Sequence, residues 1–153
     1  MRQQQHDMFV SVTPPGALVD NASLTTASID TKGYAYCRIF CRMGATDIAM
    51  TALKVQESND DGSTDTYADV TGLVYGTSTD IAGSTSALPS ATDDNKCFVF
   101  EIDLRGRKRY LDVVATVGDG TAGGYYDVFA LLSHAQSVPV TKTERGYGNI
   151  LRV

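Results

Sequence analysis

Apolar and polar residues alternate with a period of two over several short stretches, and clusters of Gly, Pro, Ser, Thr, Asp and Asn separate those stretches. Helical spacing is scarce, so the pattern predicts strands. The first candidate is 8–12 (MFVSV), ended by PPG at 14–16; a weaker, Thr-rich one is 23–29 (SLTTASI). Residues 34–42 (YAYCRIFCR) are much stronger. One face carries Ala35, Cys37, Ile39 and Cys41, small and apolar, and is assigned to the core. Residues 50–58 (MTALKVQES) set Thr51, Leu53 and Val55 against Ala52, Lys54 and Gln56. NDDGS at 59–63 then turns the chain into a short return strand at 67–70. Residues 71–95 have weak periodicity and read either as a long surface loop or as two poorly marked strands. Residues 97–104 (CFVFEIDL) point Phe98, Phe100, Ile102 and Leu104 inward, and 109–117 (RYLDVVATV) do the same with Leu111, Val113, Ala115 and Val117. Residues 124–133 (GYYDVFALLS) are the last strand. Seven or eight strands in one chain predict an all-β fold, a single β-sandwich of jelly-roll-like kind spanning 8–133.

The other face of 34–42 carries Tyr34, Tyr36, Arg38, Phe40 and Arg42. It is large, aromatic and cationic, neither core-like nor an ordinary solvated surface, and these residue types are enriched where proteins meet. The chain ends read as arms, 1–7 and 134–153. The second carries a net charge of +2, yet it finishes on Tyr147 and Ile150-Leu151-Arg152-Val153. An apolar ending suits an arm that becomes ordered against a neighbouring subunit better than a loose tail.

Composition narrows the class. The 153 residues are 42% hydrophobic and 20% charged, enough for one real core and too apolar for a disordered chain. No run approaches a membrane span, and the opening MRQQQH has no apolar leader, so neither membrane insertion nor signal-directed export is expected. The net charge is −5, unevenly placed. From 57 to 94 there are eight acids and no base, whereas 96–109 hold five bases against two acids. The run Arg105, Arg107, Lys108 and Arg109 is expected at a hairpin tip, facing solvent or an acidic protein surface. Overall acidity speaks against nucleic acid as its partner.

Reactive constellations are missing from the sequence. Cys37, Cys41 and Cys97 have no zinc spacing; the first two fall on one strand face and read as core residues made in a reducing compartment. His6 and His134 stand near no nucleophile motif. GDGTAGG at 118–124 lacks the Lys-Ser/Thr of a phosphate loop, and the 59–65 acids lack the spacing of a calcium loop. The expectation is therefore no catalysis, no cofactor and no metal.

LKVQESNDDGSTDTYADV at 53–70 resembles a β-hairpin recurrent in jelly-roll domains. With GATDIAMT at 44–51 before it and DLRGRKRYL at 103–111 after it, the chain resembles the capsid decoration, or cement, proteins of tailed bacteriophages over roughly 23–132. That resemblance implies a non-enzymatic virion protein on the outer surface of the head, assembled in the bacterial cytoplasm. It would bind the major capsid protein, clamp neighbouring capsomers and associate with itself as a homotrimer. The contact residues would be Tyr34, Tyr36, Arg38, Phe40 and Arg42, the basic run Arg105, Arg107, Lys108 and Arg109, and Arg145, Tyr147, Ile150 and Leu151 of the arm. Two other readings remain. One is a tail or neck component of the same virion. The other is a glycan-binding jelly roll using Tyr34, Tyr36, Tyr125 and Tyr126 as a platform, although the Trp usual after the turn is absent and Tyr67 stands nearest that place.

Overall fold

A computed structural model describes residues 6–13, 18–19, 22–23, 27–137 and 141–151. The expectations placed on 1–5, 14–16, 24–26 and 152–153 fall outside that description. Among the described residues ten strands form two antiparallel sheets. The front sheet contains β1 (Met8–Ser11), β2 (Leu18–Val19), β5 (Tyr34–Thr46), β8 (Cys97–Asp103) and β10 (Gly124–Ala135), in the order β1-β10-β5-β8 with β2 also on β10. The back sheet contains β3 (Ala22–Ser23), β4 (Ile29–Asp30), β6 (Met50–Ser58), β7 (Ala68–Val74) and β9 (Tyr110–Val117), in the order β3-β9-β6-β7 with β4 also on β9.

β1 and β2 share one partner, as do β3 and β4, so each pair is a single interrupted edge strand and the molecule is in effect eight-stranded. From there the chain crosses between sheets at every connection except the β6–β7 hairpin. That is the wrapping of a jelly roll.

The core lies between the sheets and follows the alternation. Cys37, Ile39, Cys41 and Met43 of β5 and Tyr126, Val128, Ala130 and Leu132 of β10 face Leu53 and Val55 of β6 and Leu111, Val113, Ala115 and Val117 of β9. The buried Tyr126 hydroxyl donates to the Ala115 carbonyl across the sandwich at 2.6 Å, so a polar atom in the core is satisfied.

Several expectations change in detail. Thr51 is exposed while Met50 is buried, because the β6–β9 register shifts between Met50 and Ala52 and a bulge reverses the face. Of the weak strand expected at 23–29, the described residues place β3 at its start and β4 at its end, with 27–28 outside any strand. β7 runs on to Val74, and 75–96 form a loop with one isolated bridge between Thr79 and Thr85. β10 extends to Ala135, two residues into the expected arm. The basic run does not cap a hairpin. β8 pairs with β5 and β9 with β6, so 104–109 is a crossover between sheets.

Candidate functional site

Among the described residues no second sheet covers the outward face of the front sheet, yet that face carries many apolar side chains. On β5 the outward positions are Tyr36, Arg38, Phe40 and Arg42, and the register sets them beside Ser133, Leu131, Phe129 and Asp127 of β10. Phe9 of β1 lies opposite Leu131. Rings from three strands and the C-terminal segment thereby form one row. Phe40 stacks on Phe129 at 5.0 Å and 13°, Phe129 meets Phe9 at 5.5 Å, and Phe9 stacks on Tyr147 at 6.2 Å. Each ring is half-buried, by its neighbours in the row. Sequence reasoning found Phe40 and Tyr147 but missed Phe9 and Phe129. The signal was the pair of apolar faces in DVFALL, where Phe129 and Leu131 stand opposite Val128, Ala130 and Leu132.

Two arginines flank the row. Arg42 lies over the Phe129 ring at 5.2 Å and donates through Nε and Nη2 to Asp127, its neighbour on β10. Arg38 lies over Phe40 at 5.8 Å and makes no ion pair among the described residues. Tyr36 continues the line and meets His134 edge-on. Tyr34 leaves it and packs against the core cluster.

The C-terminal segment docks on the molecule's own β1. The Phe9 N–H donates to the Arg145 carbonyl at 2.9 Å, and Arg145 Nε donates to the Asp7 carbonyl at 3.3 Å. Arg145 is only 6% exposed, with its guanidinium over Tyr147. Gly146 has φ +72°, and a Cβ there would lie 1.8 Å from the Phe9 carbonyl oxygen. Only glycine allows this approach. Arg145 and Tyr147 thus hold the segment to its own sheet edge, while Ile150 is half-buried and Leu151 is exposed.

The basic run is neutralised within the chain. Arg105 pairs with Asp103, Arg107 with Glu57 at 3.5 Å, Lys108 with Asp65 at 2.8 Å and Arg109 with Asp30 at 2.6 Å. The separation of acidic and basic surfaces read from the sequence is therefore undone at this end of the sandwich. The β6–β7 turn that carries part of the acidic run lies against the crossover that carries the bases. Its acids serve the turn itself: Asp60 accepts from the amides of Thr64 and Asp65 and from the Ser58 and Thr64 hydroxyls, and Asp65 accepts from the Asn59 amide. No cluster suited to a metal occurs among the described residues.

The four tyrosines of the glycan reading do not converge. Tyr126 is buried, Tyr34 turns to the core, and Tyr125 and Tyr36 stand at opposite ends of the β5–β10 pair.

Beside Arg38 and Phe40 the front sheet borders a groove of about 520 Å³. Its far wall is the end of β7 and the loop after it, which Tyr75 ties to the β8 edge by donating to the Val99 carbonyl. Residues 78–86 of that loop form a small finger. The Ser86 amide donates to the Ser78 carbonyl, the Asp80 amide to the Ser84 carbonyl, and Asp80 Oδ1 accepts from the amides of Ala82 and Ser84. Ile81, at its tip, is fully exposed (104%). No protein-family model matches the chain, and neither a curated protein nor a solved structure shows significant similarity to it.

Proposed function

We propose that this chain is a non-enzymatic adhesion protein that works by covering the aromatic row of its front sheet with other protein. The supporting observation is the row itself: Phe40, Phe129, Phe9 and Tyr147 in contact across a face that no second sheet covers among the described residues. Exposed apolar patches of this kind mark association surfaces, and aromatic and arginine side chains supply most of the energy in such contacts.

The assembly proposed is the outside of a tailed-phage head, on the sequence resemblance. Copies associate with one another, as a trimer in that resemblance, and bind the major capsid protein. Several modest contacts per trimer add up by avidity, and binding favours the assembled shell over free subunits. The basic crossover is a weak part of this surface because its charges are already paired; Arg38 and the row carry the binding.

Co-sedimentation with purified phage heads and, separately, tails tests the reading. Saturable binding to heads, weakened at least tenfold by Phe40→Ser with Phe129→Ser, supports it. Binding to tails alone moves the protein to the tail or neck. Binding to neither, with sugar binding on a glycan array, replaces the proposal by the lectin reading.

A further inference from the structure

The two edges of the front sheet differ. β1 is covered by the C-terminal segment, whereas β8 pairs with β5 alone among the described residues. The Met43 amide donates to the Lys96 carbonyl and the Leu104 amide to the Ala35 carbonyl, so the even-numbered residues of β8 are the ones that bond to β5. Val99 and Glu101 turn their backbone groups the other way. The Val99 carbonyl takes the Tyr75 hydroxyl, but the Val99 N–H and both backbone groups of Glu101 have no partner among the described residues. These groups border the groove, which Leu73, Tyr75 and Phe100 also line. Free amides and carbonyls beside an apolar wall suit an extended segment, which supplies the missing bonds and buries alternate side chains. Glu101 stands opposite Arg38, and Asp80 adds a second carboxylate, so the lining carries one negative charge in excess and favours a base in that segment.

In this chain an apolar–basic–apolar triplet occurs at 37–39, 41–43 and 53–55, where β5 and β6 already use it, and at 151–153. Leu151 is 94% exposed; Arg152 and Val153 lie outside the described residues. The last triplet does not reach the groove of its own molecule while Tyr147 stays on Phe9. From the segment outside β1 to a strand added on β8 is five strand spacings, about 24 Å, whereas the four residues from Tyr147 to Leu151 span at most about 14 Å. We infer that residues 151–153 of one copy add as an antiparallel strand to β8 of a second copy. Arg152 exchanges both backbone hydrogen bonds with Glu101 and sets its guanidinium beside the Glu101 carboxylate, while Leu151 and Val153 turn toward Leu73 and Tyr75. This rests on the self-association proposed above and names its contact. Tail and groove are different surfaces, so the contact is heterologous, and a closed assembly built from it is a ring.

Amide exchange and light scattering on the full chain test it together. In the oligomer the Glu101 amide is expected to be protected, and dilution to monomers removes that protection while the β5–β10 amides stay slow. Leu151→Asp weakens self-association by about 10- to 100-fold, the effect of losing one buried leucine, and leaves the melting curve unchanged because Leu151 is exposed in the single chain. Arg152→Glu acts in the same direction, and an excess of the synthetic peptide YGNILRV dissociates the wild-type oligomer. An oligomer that tolerates Leu151→Asp, or whose Glu101 amide exchanges as fast as in the monomer, overturns this contact and leaves self-association standing. A wild-type chain that stays monomeric overturns both.

Discussion

The three cysteines show how burial sets chemistry one residue at a time. Cys37 and Cys41 alternate with Ile39 on the inner face of β5, and burial pushes both thiols up to about 12. A thiol reacts as its thiolate, so neither is a nucleophile near neutrality. Cys97, at the start of β8, is exposed. Burial still raises its thiol, and the nearby Arg42 guanidinium partly offsets that. In native protein at pH 8, a thiol reagent such as Ellman's is expected to modify Cys97 alone, and all three cysteines after denaturation. A second reactive thiol in the native state would contradict the packing of β5. The inward position of Cys37 and Cys41 was legible from alternation, whereas the exposure of Cys97 was decided by its place at the end of a strand.

At the scale of elements, the telling unit is the edge of the front sheet. An exposed edge strand invites pairing with other chains unless something covers it. Here the 141–151 segment covers β1 through the Phe9–Arg145 bond, the glycine-only approach of Gly146 and the Tyr147 ring. Gly146→Ala introduces both a clash and an unfavourable φ, with a cost of about 1–3 kcal/mol. The expected result is a lower melting temperature, with amide exchange at Phe9 accelerated and the β5–β10 amides protected as before. Unchanged exchange at Phe9 would show that the segment is not held this way. The aromatic ending of the chain was visible in sequence, but its partner was not, since Phe9 lies 138 positions before Tyr147.

Across the whole molecule, one end of the sandwich is held by ion pairs between the basic crossover and acids of β4, β6, β8 and the β6–β7 turn. Asp30 is bound by Arg109 and Asp65 by Lys108, and hydrogen bonding to these cations keeps both carboxyls below the usual range. Arg105 holds Asp103 down to about 2, and the Thr64 hydroxyl with the turn amides does the same for Asp60. A carboxyl whose folded pKa is depressed stabilises the fold above its unfolded value of about 4 and loses that contribution as pH falls through the folded value. Melting temperature is therefore expected to be level from pH 7 to about 5 and to decline between about 4 and 2. Asp60→Asn should melt lower at pH 7 and show a smaller acid-induced drop. These groups are solvent-exposed, so each contributes modestly, and it is their number at one end that makes the decline measurable. A flat profile to pH 2 would mean the pairs do not form in solution.

The sequence by itself determined the long strands, most of their inward residues and the all-β jelly-roll class, whereas Ala35 and Thr51, placed inward by alternation, are exposed. A period of two and the turn residues are local properties, and burial of one face per strand follows from them. It also exposed the odd character of Tyr36, Arg38, Phe40 and Arg42. Only the tertiary structure decided which distant residues became neighbours. It brought Phe9 and Phe129 to Phe40, acids of β4, β6, the β6–β7 turn and β8 to the basic crossover, the chain end to β1, and the finger to the edge of the groove. A jelly roll pairs strands far apart in the chain, so charge and aromatic partners are set by register and crossover, which local patterning does not encode.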